Sequence, residues 1–156
     1  MRVIVITCLA GIALSSFALY VEHQKRLNDS YEALCDISHT VSCSKVFSSP
    51  QGRILSYLGV VPSEHALDVP NALLGYIFYA FLLFLELAFS RSNLLVLNIM
   101  FTMAIGSALF SVYLAYVLMY ELKDLCIVCT GNYVCNAIIF IVLWYRWRNS
   151  SKAKRQ

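Results

Sequence analysis

The residues able to do chemistry in this chain are its six cysteines: Cys8, Cys35, Cys43, Cys126, Cys129 and Cys135. The sharpest grouping is Cys126-Ile127-Val128-Cys129. On a helix, positions three apart share a face, so the two sulfurs can meet. The first turn of a helix also carries unsatisfied N–H groups, which favour thiolate over thiol. A pair placed there can cycle between dithiol and disulfide. A purely structural disulfide is a second reading. Half of a four-thiolate zinc site, completed by Cys35 and Cys43, is a third. The seven-residue gap between Cys35 and Cys43 is loose for zinc.

The elements that must position these cysteines are membrane spans. The chain has 156 residues, of which 60% are hydrophobic and 13% charged. Soluble domains average about 45–50% apolar and about 25% charged. The excess falls into four blocks near the length a bilayer requires, about 3–21, 72–89, 94–120 and 125–145. The predicted fold is therefore all-α, a four-transmembrane-helix bundle forming a single integral membrane domain over 1–156. Its one sizeable polar segment, 22–71, makes a loop or cap between the first and second spans. Arg2 and small residues at 15–18 also fit a cleaved signal peptide. The apolar run is longer than a signal core and no small-x-small site follows, so the block reads as a retained span.

Charge orients the bundle. The tail 146–156 carries Arg146, Arg148, Lys152, Lys154 and Arg155, with Arg2 and Arg91 on the same side. Basic residues favour the cytoplasm, so both termini are expected there and the long loop is expected in the lumen. Lys152 and Lys154 stand third and fifth from the end and resemble a dilysine retrieval signal for the endoplasmic reticulum; a plain flanking charge cluster is the other reading. Asn28-Asp29-Ser30 fits a glycosylation sequon. This topology brings Cys35, Cys43, Cys126 and Cys129 to one membrane face. In the endoplasmic reticulum that face is oxidising enough for disulfides. A water-accessible loop pair beside a membrane pair makes a relay, because a thiolate of one can attack the disulfide of the other. Cys8 and Cys135 lie inside spans, where cysteine behaves as a small apolar residue.

Further fragments complete a pattern: Leu34-Cys35-Asp36, then Ser42-Cys43-Ser44-Lys45-Val46-Phe47-Ser48-Ser49. Asn71, Gly75, Ile77-Phe78-Tyr79 and Ser111-Val112-Tyr113-Leu114-Ala115 follow, and last come Cys126-Ile127-Val128-Cys129 and Tyr133. Together they resemble the vitamin K epoxide reductase family from the first span to the basic tail. The resemblance implies reduction of vitamin K 2,3-epoxide to the quinone, and of the quinone to the hydroquinone, in the endoplasmic reticulum membrane. It makes Cys126 and Cys129 the active-site pair and Cys35 with Cys43 the shuttle pair, two redox-active disulfides. Asn71 and Tyr133 match the polar residues that hold substrate oxygens. The implied partners are the quinone or epoxide, a lumenal thioredoxin-fold reductant and the bilayer. No bound cofactor, metal or nucleic acid is expected.

The residues themselves fit these roles. Tyr133 lies one turn beyond Cys129 on the same helical face, although a span tyrosine can be ordinary packing. Asn71 stands where it could simply cap the second span. An apolar quinone needs mostly hydrophobic walls, which Val46, Phe47, Leu74 and Phe78 can supply. Two departures touch the lid and wall: Gln51 stands where the family has Trp, and Leu74 where its pocket Phe is expected. They bear on substrate preference and coumarin sensitivity more than on the chemistry. The stretch from Ile54 to Val61 has an apolar face suited to the membrane surface. Glu86 reads as a group snorkelling to the cytosolic interface. His23, His39 and His65 read as solvated. Two other functions remain. A quinone-dependent disulfide-generating enzyme would run the relay backwards, and a structural subunit would keep inert disulfides.

Overall fold

The computed structural model describes residues 2–38, 41–62, 65, 67–89 and 93–153. His39, Glu64, Arg91, Lys154 and Arg155 lie outside the described residues, and with them parts of the charge, histidine and retrieval-signal readings. Four helices are long and apolar enough to cross a membrane. They are α1 (Arg2–Leu27), α4 (Asn71–Ala88), α5 (Leu94–Tyr116) and α6 (Ile127–Ala153). Two short helices, α2 (Cys43–Phe47) and α3 (Ile54–Tyr57), fold the long connection over one end of the bundle. A 3-10 turn, Pro50–Gly52, joins them.

The helices extend past the apolar blocks. Helix α1 runs on through Glu22 to Leu27, because Arg26 pairs with Glu22 one turn earlier at 2.8 Å and a helix surface rewards that spacing. Helix α5 does not stop at Tyr116. It loosens into a π-helical turn, Val117–Leu122, after which Lys123 takes a left-handed conformation at φ 52° and turns the chain back towards α6. Asn93 starts α5 by accepting from the N–H groups of Leu95 and Val96, the usual use of a short polar side chain at a helix start.

The core is built on small contacts along α1. Gly11 lets the Tyr79 ring lie where a Cβ would come within 2.5 Å of it, which draws α4 against α1. Ile4, Cys8, Tyr79, Leu82, Met100, Ala104, Ile139 and Leu143 form one buried cluster in the half away from the loop. Cys8 and Cys135 are both buried thiols there. Glu86 differs from the interfacial expectation. Its side chain is 1% exposed and pairs with Arg146 of α6 at 2.6 Å. Arg146 reaches inward to it, so the carboxylate is held inside the bundle. A paired charge is the form in which one is tolerated there. His23 and His65 are exposed, as solvated histidines should be. Helices α1 with α4, α5 with α6, and α1 with α6 pack along their lengths, whereas α4 and α5 barely touch. A cavity separates them.

Candidate functional site

The long connection is tied down first by Asp36. Its Oδ2 accepts from the Ala33 N–H at 2.7 Å, and its Oδ1 from the Ser44 N–H at 3.0 Å and the Ser42 hydroxyl at 2.9 Å. The carboxylate thus pins the segment after Cys35 to the start of α2. Ser42 caps that helix by accepting from the Lys45 N–H, which makes Cys43 its first residue. Cys35 and Cys43 end with Cα atoms 5.7 Å apart and are disulfide-bonded.

Burial works against the charge of Asp36, but the donors from Ser44, Ala33 and Ser42 outweigh it and bring its pKa from 3.8 to about 2. A depressed carboxylate stabilises the fold fully above its ordinary value, and that share disappears as pH falls through the folded one. Between about pH 4 and about pH 2 the native protein should therefore lose stability faster than Asp36→Asn does. Thermal unfolding in detergent across that range measures the difference; parallel pH profiles would show that the Asp36 bonds contribute nothing.

The loop pair and the helix pair meet through the backbone. Val41 and Leu125 form an isolated parallel bridge, and the Ser42 N–H donates to the Leu125 carbonyl at 3.1 Å. The residues that follow this hydrogen-bonded pair, Ser42 and Leu125, are Cys43 and Cys126. Lys45 clamps the same junction, its ammonium 2.8 Å from the buried Asp124 carboxylate. Cys43 and Cys126 are both fully buried in one cluster, with Cys35 and Cys129 packed against it. This bridge joins positions far apart in the chain, and no local motif announces it.

Cys126 itself starts α6. Its carbonyl accepts from the Thr130 N–H at 3.0 Å, and its Sγ accepts from the Cys129 N–H at 3.2 Å. The sulfur thus occupies the place of a capping serine oxygen. The expectation that both cysteines open the helix is refined: Cys126 precedes the first turn and Cys129 lies within it. Both are thiols, so the helix pair is reduced while the loop pair is oxidised. Cys126 borders an apolar groove with Ile37 and Val41 of the loop. Cys129, its side chain hydrogen-bonded to that of Cys126, borders a different space on the other side.

That other side is the cavity between α4 and α5, of about 480 Å³, a volume within the usual range for small-molecule sites. Cys129 and Tyr133 line it together with Asn71, Val46, Phe47, Leu74 and Phe78. All the residues expected at the pocket are thus brought to one space. Gln51, at the departure from the family pattern, also lines it. The Tyr133 hydroxyl makes no hydrogen bond among the described residues.

Asn71 does more than the cap reading allowed. Pro70 holds the N-cap position, and Asn71 is the first helical residue. Its Oδ1 accepts from the Ile54 N–H at 3.0 Å and its Nδ2 donates to the Gln51 carbonyl at 2.8 Å. The side chain clamps the lid formed by residues 50–58. An amide has two N–H bonds and two carbonyl lone pairs, so one of each remains for a ligand. Arg53 adds a second clamp. It bonds the Asp68 carbonyl, and it lies 3.3 Å from the carboxylates of both Asp68 and Glu22. Tyr57 adds a third by donating to Glu121 at 2.8 Å. Beyond these clamps, Tyr57, Leu58 and Val60 turn apolar surface outward.

Sequence reasoning gave no site role to the polar residues deeper in the cavity: Ser15, Ser111, Asn132 and Asn136. A signal was present. Cys129, Asn132, Tyr133 and Asn136 recur at steps of three, one and three, the spacing of one helical face.

Comparison with known proteins agrees with this arrangement. The sequence model of the vitamin K epoxide reductase family matches residues 2–144. Vitamin K epoxide reductase complex subunit 1 of Rattus norvegicus is 38% identical over 138 residues, which cover 86% of this chain and 83% of that protein. The protein of the same name from Mus musculus matches with the same identity and coverage. With four spans, a cysteine-lined cavity and a match along nearly its whole length, this chain belongs to the vitamin K epoxide reductase family.

Proposed function

We propose that the chain reduces vitamin K epoxide to the quinone, and the quinone to the hydroquinone, with electrons relayed from the loop cysteines to the helix cysteines. The observation that carries this reading is the bridge at Val41 and Leu125. It sets Cys43 beside Cys126, while Cys129 is the member of the helix pair that lines the cavity. Each cysteine then has one task.

In epoxide reduction the Cys129 thiolate attacks a ring carbon and the epoxide C–O bond opens. The alkoxide takes a proton, with Tyr133 and Asn71 donating to the oxygens as charge develops. Cys126 then attacks the Cys129 sulfur. The C–S electron pair returns to the ring and expels hydroxide, which leaves as water after protonation. One epoxide and two thiols thus give one quinone, one water and one disulfide. Quinone reduction follows the same path: addition of Cys129, attack by Cys126, and uptake of two protons give the hydroquinone. The Cys43 thiolate next attacks Cys126 of the new disulfide, and Cys35 resolves the mixed disulfide. Cys35, partly exposed, is the one a soluble dithiol can reach. A thioredoxin-fold protein in the lumen of the endoplasmic reticulum would be that donor. An oxidised loop pair with a reduced helix pair is the state that follows the internal transfer.

The lid, with its outward Tyr57, Leu58 and Val60, rests against the bilayer in this reading, and the opening between α4 and α5 admits an apolar substrate from lipid. Purified protein in detergent, given vitamin K epoxide and a dithiol, should yield quinone and then hydroquinone by chromatography. Turnover of ubiquinone or menaquinone with no product from the epoxide would favour the disulfide-generating function instead.

A further inference from the structure

Two ties cross the junction between loop and helix, and they enclose one cysteine. Before Cys43, the Val41–Leu125 bridge and the Ser42 N–H on the Leu125 carbonyl hold the loop to the start of α6. After Cys43, the Lys45 ammonium reaches the Asp124 carboxylate at 2.8 Å. Both ties end on the two residues that precede Cys126. Cys43 is thus held from either side, in a cluster where it and Cys126 are fully buried.

The ion pair is not an ordinary surface pair. The Lys45 side chain is 63% exposed, but that of Asp124 is only 4% exposed. A pair of exposed charges contributes little. A buried carboxylate stripped of its cation is costly, and its surroundings relieve that cost by moving. The chain also accepts an unfavourable turn to place it. Lys123 takes φ 52°, a left-handed conformation that residues with a Cβ avoid, and the next residue is the buried Asp124. On the loop side Ser42 accepts from the Lys45 N–H, and Asp36 holds Ser42 and Ser44. The Lys45 backbone is therefore fixed before its side chain reaches across.

We propose that Lys45 and Asp124 are positioning residues for the internal electron transfer, and that their ion pair holds Cys43 in line with Cys126. The inference rests on the relay between the two cysteine pairs. In that transfer the Cys43 thiolate attacks Cys126 of the helix disulfide. The Cys43–Cys126 bond forms, the Cys126–Cys129 bond breaks, and Cys129 leaves as a thiolate that takes a proton. The Cys35 thiolate then attacks Cys43, and Cys126 leaves in the same way. Two loop thiols are oxidised and two helix sulfurs are reduced; the two protons lost by the first pair balance those gained by the second. Displacement at sulfur needs the attacking, attacked and leaving atoms near one line, so its rate follows how well the junction is held. With one tie the loop can swing about it; with two, on either side of Cys43, it cannot. Neither Lys45 nor Asp124 lines the quinone cavity, so the substrate step does not depend on them.

A single turnover of the fully reduced protein tests it. One equivalent of menadione oxidises the helix pair, acid stops the reaction at set times, free thiols are alkylated, and the disulfides are mapped by mass. In the native protein the disulfide should move from Cys126–Cys129 to Cys35–Cys43. In Lys45→Met, which keeps the stem and removes the charge, that move should slow about tenfold or more, since a misplacement of about 1 Å can cost about a hundredfold. Lys45→Arg should restore it. So should Lys45→Asp combined with Asp124→Lys, although each of those changes alone slows it. Steady-state turnover should divide the same way. Lys45→Met should lose rate with a thioredoxin-fold donor and keep it with a membrane-permeant dithiol, which also shows that the variant is folded. Native-rate transfer in Lys45→Met, no recovery in either Lys45→Arg or the reversed pair, or equal loss with both donors would overturn the assignment. A native protein whose disulfide stays on the helix pair would instead count against the relay itself.

Discussion

Cys129→Ala should abolish turnover with every reductant, whereas Cys126→Ala should stop after a single addition and hold the substrate covalently. The difference follows from where each sulfur points. Cys129 lines the cavity and is the atom that can reach a ring carbon. Removing such a nucleophile costs several orders of magnitude, because no other group is placed to take over. Cys126 is fully buried on the loop side of α6, and in the proposed mechanism its task is to free the adduct. Without it Cys129 can still add, but release depends on a thiol from solution, which lacks the advantage of a neighbour held in place. Intact mass after exposure to quinone therefore separates the variants. Cys126→Ala should gain the mass of one quinone, and Cys129→Ala should gain none. Retained multiple turnover in Cys129→Ala, or an adduct mapped to Cys126, would reverse the roles assigned to the pair.

How much of this the sequence carries depends on the distance over which each feature is decided. Block hydropathy is local, and it placed all four spans. Their ends moved where charge pairing extends the helix, as in α1, where Glu22 is held both by Arg26 one turn on and by Arg53 of the lid. The Cys-x-x-Cys spacing is local too, but the division of labour within it is not. That division appears only once Leu125 is bonded to Ser42 and α6 is turned against the cavity. Asn71 shows the same limit. As a residue before an apolar block it reads as a cap, and only the folded lid supplies the Gln51 carbonyl and the Ile54 N–H that it holds. Glu86 reads as interfacial because it stands within a turn of Phe89 at the end of its span; Arg146, which neutralises it, comes from another helix. The deep polar residues carry no site role in the sequence for a related reason. A lone asparagine in a span usually bonds a neighbouring helix, as Asn136 does with Tyr79 and Ser111, and its sequence neighbourhood does not say that it also lines a cavity.

The relay makes the second large prediction, because it separates two donors that a simple active site would not. In Cys35→Ala or Cys43→Ala the helix pair and the cavity are untouched, so a small membrane-permeant dithiol that reaches the Cys126–Cys129 disulfide directly should still support turnover near the native rate. A thioredoxin-fold protein donor is too large to enter. Cys126 is completely buried beneath the loop, and the donor's active site can approach only as far as partly exposed Cys35. With that donor, activity should fall to the level seen without reductant. The two variants should also differ in what they trap. Cys43→Ala leaves Cys35 free to form a mixed disulfide with the soluble donor and no neighbour to resolve it, so a covalent complex should accumulate. Cys35→Ala leaves Cys43 facing Cys126, and the mixed disulfide should form within the chain. Non-reducing electrophoresis and peptide mapping distinguish these products. Equal loss of activity with both donors would mean that the loop disulfide serves only to shape the lid, and equal retention would mean that electrons enter at the helix pair without passing through the loop.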